Sequence, residues 1–219
     1  MSDLNLIQQL FHYYNENGGY VFTQFIRHFL ISFYGVLFAS IVGIPIGIFI
    51  SRRLNLADWV MRLANIIQTI PALAMVSVLM LGLGLGVNVV IVTVFLYSLL
   101  PIIKNTYTGM RQVDDGVLDV GKGMGMTPWQ RLYLVELPLS ISVIMAGVRN
   151  ALVLAIGITA IGTFVGAGGL GDIIVRGTNA TDGAAIILAG ALPTAVMSIF
   201  ADWFLGTIER KLDPTSRKK

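Results

Sequence analysis

From Leu63 to Ile103 the chain runs for 41 residues without one Asp, Glu, Lys or Arg. At about 1.5 Å per residue, a single helix of that length would be roughly twice as long as the ~30 Å hydrocarbon core of a bilayer is thick. The run therefore predicts two membrane helices. They part at Gly82-Leu83-Gly84-Leu85-Gly86-Val87-Asn88, where glycine recurs at every second position. This places the second span of the chain at 63–81 and the third at 88–103. Pro71 is expected to kink the second span, and Pro101 to shape the exit of the third. Hydrophobic residues make up 55% and charged residues 12%. A soluble domain carries about 25% charge, so the expectation is an integral membrane protein with no sizeable soluble domain. The absence of cysteine excludes disulfides, iron–sulfur clusters and zinc–thiolate sites. Met1-Ser2-Asp3 lacks a basic start, and no secretory signal is expected.

Three further spans follow from the same reasoning. Nothing between Arg27 and Arg52 carries a fixed charge, so span one is placed at 28–50. In it, Gly35, Ala39, Gly43 and Gly47 recur every fourth residue, a stripe that lets another helix approach closely. Phe22, Phe25, Phe29 and Phe33 share a face, which reads as lipid contact or helix packing rather than a cation path. Span four, 139–164, is interrupted only by Arg149. Span five, 183–208, carries Gly190, Thr194, Ser198, Asp202 and Gly206 on one face, expected to point into the bundle. Residues 1–19 read as an interfacial segment: Leu4, Ile7, Leu10, Phe11 and Tyr14 have helical spacing, and Asn15-Glu16-Asn17-Gly18-Gly19 is expected to end it.

The fold class is thus all-α, a single domain over 1–219 with five transmembrane helices and its termini on opposite sides. Of the 15 basic residues, 12 follow spans one, three and five: Arg52, Arg53, Arg62; Lys104, Arg111, Lys122, Arg131; Arg210, Lys211, Arg217, Lys218, Lys219. The positive-inside rule makes that side cytoplasmic. The N-terminus is then outside, the C-terminus inside, and the loop 104–138 cytoplasmic.

Within that loop, Asp119 to Pro138 is the most sharply punctuated polar stretch. Thr127-Pro128-Trp129-Gln130 has the form of a helix start, with Thr127 as cap, Pro128 at the first position and Gln130 reaching back. Gly125 suits the turn that ends a preceding short helix, and Pro138 is expected to close the second helix. The spacing resembles the EAA loop of bacterial ABC-importer permeases: an acidic-small-small triplet (Asp119, Val120, Gly121), a glycine (Gly125), and an aliphatic-x-Leu-Pro close (Val135, Glu136, Leu137, Pro138). The triplet departs in content, with Asp for Glu and Val and Gly for two Ala. The resemblance implies a type I importer permease in a bacterial plasma membrane. Its coupling helix, through Asp119, Val120, Gly121, Gly125, Met126, Thr127, Leu137 and Pro138, would dock a separate cytoplasmic ATPase. ATP and Mg would be bound by that partner, so this chain would need no cofactor and no metal. The resemblance further implies a second permease subunit, identical or related, and an extracytoplasmic substrate-binding protein. Such machines alternate access: ATP closes the ATPase pair, the coupling helices move together, and the spans open outward.

Three further blocks look like permeases for osmoprotectants such as glycine betaine, carnitine and choline. They are Asn65 to Pro71, Leu99 to Gly109 and Gly162 to Gly171, the last shared more loosely with methionine permeases. A permease for methionine or another amino acid is the alternative, and an ATPase-independent channel or carrier the second. No nucleic-acid partner is expected from the net charge of +3, which the membrane orientation accounts for.

Enzyme-like patterns do not survive their context. Gly166, Gly168 and Gly171 fit G-x-G-x-x-G but follow a membrane helix, not a strand. Gly116, Gly121 and Lys122 lack the hydroxyl residue of a phosphate loop, since Gly123 follows. Asn179-Ala180-Thr181 matches a glycosylation sequon by chance, and His12 and His28 lack acidic neighbours at metal spacing. Arg149 is the costly residue, because a charge at membrane depth needs a partner or a role. Asp202 on span five is within reach of a long guanidinium; the alternatives are backbone carbonyls near a cytoplasmic gate, or a purely structural arginine.

Overall fold

The computed structural model describes residues 5–181 and 183–213. Met1, Ser2, Asp3, Leu4, Arg217, Lys218 and Lys219, used in the reading above, lie outside them. The secondary structure among the described residues is all helical, with no strand. They form α1 (Leu6–Ser51), α2 (Leu54–Thr69), α3 (Ala72–Leu83), α4 (Val87–Arg111), α5 (Asp115–Gly123), α6 (Pro128–Arg131), α7 (Leu137–Thr159), α8 (Leu170–Thr178) and α9 (Ala184–Leu212). A π-helical turn, Leu132–Glu136, joins α6 to α7, and a 3-10 turn, Ala160–Val165, follows α7. Four stretches are long and apolar enough to cross a membrane: α1, α4, the continuous run from α6 through α7, and α9. The bent pair α2–α3 makes a fifth if it counts as one span.

The glycine stripe of α1 sets the central packing. A Cβ at Gly35 would stand 2.3 Å from Val94 Cγ1, at Gly43 3.0 Å from Ile102 Cγ2, and at Gly47 2.5 Å from Thr106 Cβ. All three pairs are 59 positions apart, so α1 and α4 run parallel, as two helices separated by one return pass must. Without side chains in the way, the two backbones approach and gain dispersion contact along their length. The core between them holds Ile31, Val36, Ala39, Val90, Val94 and Ile102, joined by Ala151, Ala155 and Ile156 of α7.

Three expectations about element ends need correcting. The segment 1–19 is not a separate interfacial helix, because α1 passes through Gly18 and Gly19 without a break. Two glycines cost a helix about 1 kcal/mol each, and tertiary contacts override that. Tyr14 donates to the Ala189 carbonyl at 3.2 Å, Tyr20 to Asp172, and Val21 is buried. The second span is more than kinked: α2 and α3 meet at 96°. Pro71 forces Ile70 into an extended conformation, φ −72 and ψ 128. The Ile70 carbonyl freed there accepts from the Tyr97 hydroxyl, while Gln68 Nε2 donates to the Tyr97 carbonyl at 2.9 Å. Finally, Pro138 closes nothing. The helix that starts at Pro128 widens into the π turn and continues as α7. Pro138 sits in the first turn of α7, where a missing N–H is tolerated, and the wider turn before it makes room for its ring. Pro101 likewise lies inside α4, which runs on to Arg111.

Candidate coupling helix and intramembrane ion cluster

Asp114 starts the coupling segment. Its carboxylate accepts from the backbone N–H of Gly116 at 2.7 Å and of Val117 at 3.2 Å, capping α5. Asp119 and Lys122 pair one turn apart at 2.8 Å, both exposed. The Lys122 ammonium, hydrogen-bonded to it, holds the Asp119 carboxyl below the usual carboxylate range. The helix ends in a Schellman turn: Met126 N–H donates to the Gly121 carbonyl at 3.1 Å and Gly125 N–H to the Lys122 carbonyl at 2.9 Å. Gly125 takes the left-handed conformation this needs, φ +77. The Met126 thioether covers buried Gly121. Thr127 and Gln130 then form the reciprocal capping box, with bonds of 2.8 and 3.3 Å. Val117, Val120 and Met124 are left exposed on one side of α5.

Leu137 and Pro138 stand apart from that turn, at the head of α7. Between them and α6 lies a residue that the spacing argument passed over. Glu136 is only 6% exposed, an acid buried at this joint. It accepts from Arg52 Nη2 and Arg131 Nε, both at 3.0 Å. Arg52 closes α1, so this carboxylate ties the end of the first span to the coupling segment. An acid in the x position of an otherwise apolar Leu-Val-x-Leu-Pro run was the visible signal.

Deeper in the bundle, Arg149 Nε donates to Asp202 Oδ1 at 2.7 Å and its Nη1 to Glu209 Oε2 at 2.9 Å. Asp202 and Glu209 are seven residues apart, two turns of one helix, and so share a face of α9. Gly206 lies between them; a Cβ there would stand 3.1 Å from Arg149 Nη1, so its absence makes room for the guanidinium. Glu209 was not anticipated, because span five was taken to end at 208.

The glycine run after α7 is a clasp rather than a nucleotide loop. Gly166, Gly168 and Gly169 all have positive φ. The Gly169 N–H donates to Gln24 Oε1 at 2.6 Å and the Leu170 N–H to His28 Nδ1 at 3.2 Å. With Nδ1 accepting, His28 Nε2 carries the proton and donates to the Ile156 carbonyl at 2.9 Å. Fully buried His28 thus joins α1, α7 and the start of α8. No group of three or more metal-ligating side chains occurs among the described residues, although His12, read above as lacking an acidic neighbour, has Glu16 one turn on at 3.2 Å.

Comparison with known proteins adds the context. The chain is 65% identical over 216 residues to the carnitine transport permease protein OpuCD of Listeria monocytogenes, covering 99% of this chain and 97% of that one. It is 64% identical to the glycine betaine/carnitine/choline transport system permease protein OpuCD of Bacillus subtilis, covering 99% and 94%. Its fold matches a permease chain of the inward-facing MetNI methionine ABC transporter with a TM-score of 0.78 at 20% identity, covering 88% of this chain and 95% of that one. Residues 35–214 match the model of the binding-protein-dependent transport system inner membrane components. This chain of apolar helices, with its capped elbow between α4 and α7, belongs to that family of ABC-importer permeases.

Proposed function

We propose that this chain is the membrane-spanning permease of an ATP-driven importer for small quaternary-ammonium osmoprotectants, the class containing carnitine, glycine betaine and choline. The observation that carries the substrate class is the 65% identity along nearly the whole chain to a carnitine permease. The 20%-identical methionine transporter shares the fold alone. Supporting the coupling role is the rigid turn at Gly121–Gln130, which presents α5 with Val117, Val120 and Met124 uncovered. A separate cytosolic ATPase docks there and binds the ATP and Mg, while this chain hydrolyses nothing. The N-terminus is outside and the C-terminus inside. Five helices enclose a path poorly, so a second permease, identical or related, faces this one. An external binding protein delivers the substrate.

Force then travels through a short lever. Closure of the ATPase pair moves α5. The Schellman turn and capping box carry the motion into α6, and Glu136 passes it to Arg52 at the end of α1. The test is uptake of labelled carnitine, glycine betaine and choline by proteoliposomes holding permease, ATPase and binding protein. Uptake of at least one, dependent on ATP and lost on Gly125→Asp, is the expected result. Uptake of methionine and of none of these overturns the reading.

A further inference from the structure

A cavity of about 490 Å³ opens between α2, α4, α7 and α9, lined by Gln68, Lys104, Asn105, Asn150 and Asp202 together with Leu100, Pro101, Val153 and Leu154. It differs in kind from the 410 Å³ hollow between α1 and α9, which apolar side chains such as Phe29, Phe33 and Phe200 line alone. Its size is within the range of small-molecule sites. Asp202 is its negative pole. Arg149, itself bound on its other side by Glu209, holds this carboxylate in place, and the side chain stays 48% exposed. That cluster sets two acids against the one guanidinium of Arg149. Lys104 is the positive pole. It is exposed and makes no hydrogen bond or ion pair among the described residues, so it does not neutralise Asp202.

Two opposite charges left apart in one cavity match a ligand with two opposite charges of its own. A plain cation would meet Lys104 unpaired, and a plain anion would meet Asp202. A quaternary ammonium has no N–H to donate, so charge and apolar contact with its methyl groups are what can hold it. Asp202 supplies the charge, and Pro101, Val153 and Leu154 supply the contact. We infer that the Lys104–Asp202 cavity is a way-station in the translocation path for small zwitterions, with the ammonium end toward Asp202 and the carboxylate end toward Lys104. This rests on the proposed importer function and adds to it a discrimination made by the permease itself, separate from that of the binding protein.

The test compares wild type with Lys104→Gln, Lys104→Arg and Asn150→Asp in the same reconstituted system, with the binding protein saturated by each compound in turn. The ratio of carnitine to choline uptake falls about tenfold in Lys104→Gln, since a charged hydrogen-bond partner of the carboxylate is gone. Lys104→Arg restores the ratio, and Asn150→Asp lowers it by adding a second negative charge. In a system that carries zwitterions alone, loss of carnitine uptake in Lys104→Gln and its return in Lys104→Arg read the same dependence. A ratio unchanged in both Lys104→Gln and Asn150→Asp overturns the way-station and leaves the importer standing. So does an equal loss of carnitine and choline uptake, which marks Lys104 as structural. A wild type that takes up none of the three compounds overturns the importer reading, and the way-station with it.

Discussion

Gly121 and Gly125 stand four positions apart, and the backbone asks different things of them. Gly125 has φ +77, which an L side chain resists by about 1–2 kcal/mol. Gly121 is an ordinary helical residue, and a Cβ there would meet Met126 Sδ at 3.4 Å, a normal contact. Gly121→Ala is therefore expected to stabilise the segment by about 0.5–1 kcal/mol, the usual gain of Ala over Gly within a helix. Gly125→Ala is expected to destabilise it by about 1 kcal/mol. Thermal unfolding of the purified permease, followed by a probe on α5, separates the two. Equal effects would remove the Schellman turn from the account. The ion cluster makes a second expectation. Arg149→Met leaves Asp202 and Glu209 without their shared cation, at a cost of about 1–3 kcal/mol; a fully buried pair would lose more, but Asp202 is half-exposed. Arg149→Met with Asp202→Asn should recover part of that loss in the same unfolding measurement. The Arg149–Asp202 contact was legible because a charge in a greasy span must find a partner. Glu209 was not, since an acid beside Arg210 and Lys211 reads as part of a solvated end. Only the continuation of α9 to Leu212 puts it on the face of Asp202.

The helices themselves show where local rules stop. Caps and turns were readable: Thr127, Gln130 and Gly125 act through bonds to their immediate neighbours, so a few letters determine them. Breaks were not. Gly18-Gly19 looked like an end and is the middle of a 46-residue helix, because its fate is decided by Tyr14, Tyr20 and Val21 packing against distant segments. Pro138 looked like an end for the same reason, and a π turn lets the helix continue. Pro71 looked like a kink and is a corner, with Tyr97 present to satisfy the carbonyl it exposes. Glu136 sits in the π turn and is bound by two arginines from different elements. Glu136→Gln is expected to cost about 1–3 kcal/mol, as a buried acceptor of two charged hydrogen bonds loses its charge. It should also lower transport per ATP hydrolysed while ATPase capture persists, because α5 is intact and only its tie to α1 is weakened. Measuring uptake and hydrolysis in one preparation checks this; an unchanged ratio would confine Glu136 to holding the helix together.

How the chain sits across the bilayer follows from packing and charge taken together. The constant register of Gly35, Gly43 and Gly47 against Val94, Ile102 and Thr106 requires α1 and α4 to point the same way. The bent pair α2–α3 must then act as one return pass, although α3, at 12 residues, is only about 18 Å long and too short to cross alone. An even number of crossings between α1 and α4 would set these two helices antiparallel. Parallel packing thus supports the count of five that the hydropathy pattern suggested, while the side on which the basic residues lie rests on the positive-inside rule. The cysteine-free sequence makes a direct check simple. Ala180 and Gly123 are both exposed, and a Cβ at Gly123 meets nothing within 4 Å. On the proposed orientation, a membrane-impermeant maleimide labels Ala180→Cys in intact cells. It labels Gly123→Cys only after the membrane is opened. The reverse pattern would put α5 outside, beyond the reach of any cytosolic ATPase. Labelling of both in intact cells would mean that α7, the span between them, does not cross. Gly47→Leu tests the packing half of the argument: a branched side chain where a Cβ already stands 2.5 Å from Thr106 Cβ must push α1 from α4, at a cost of about 1–3 kcal/mol or more. If that variant assembles and transports like wild type, the parallel seam is not what holds the first span in place, and the inference from register to crossing number loses its foundation.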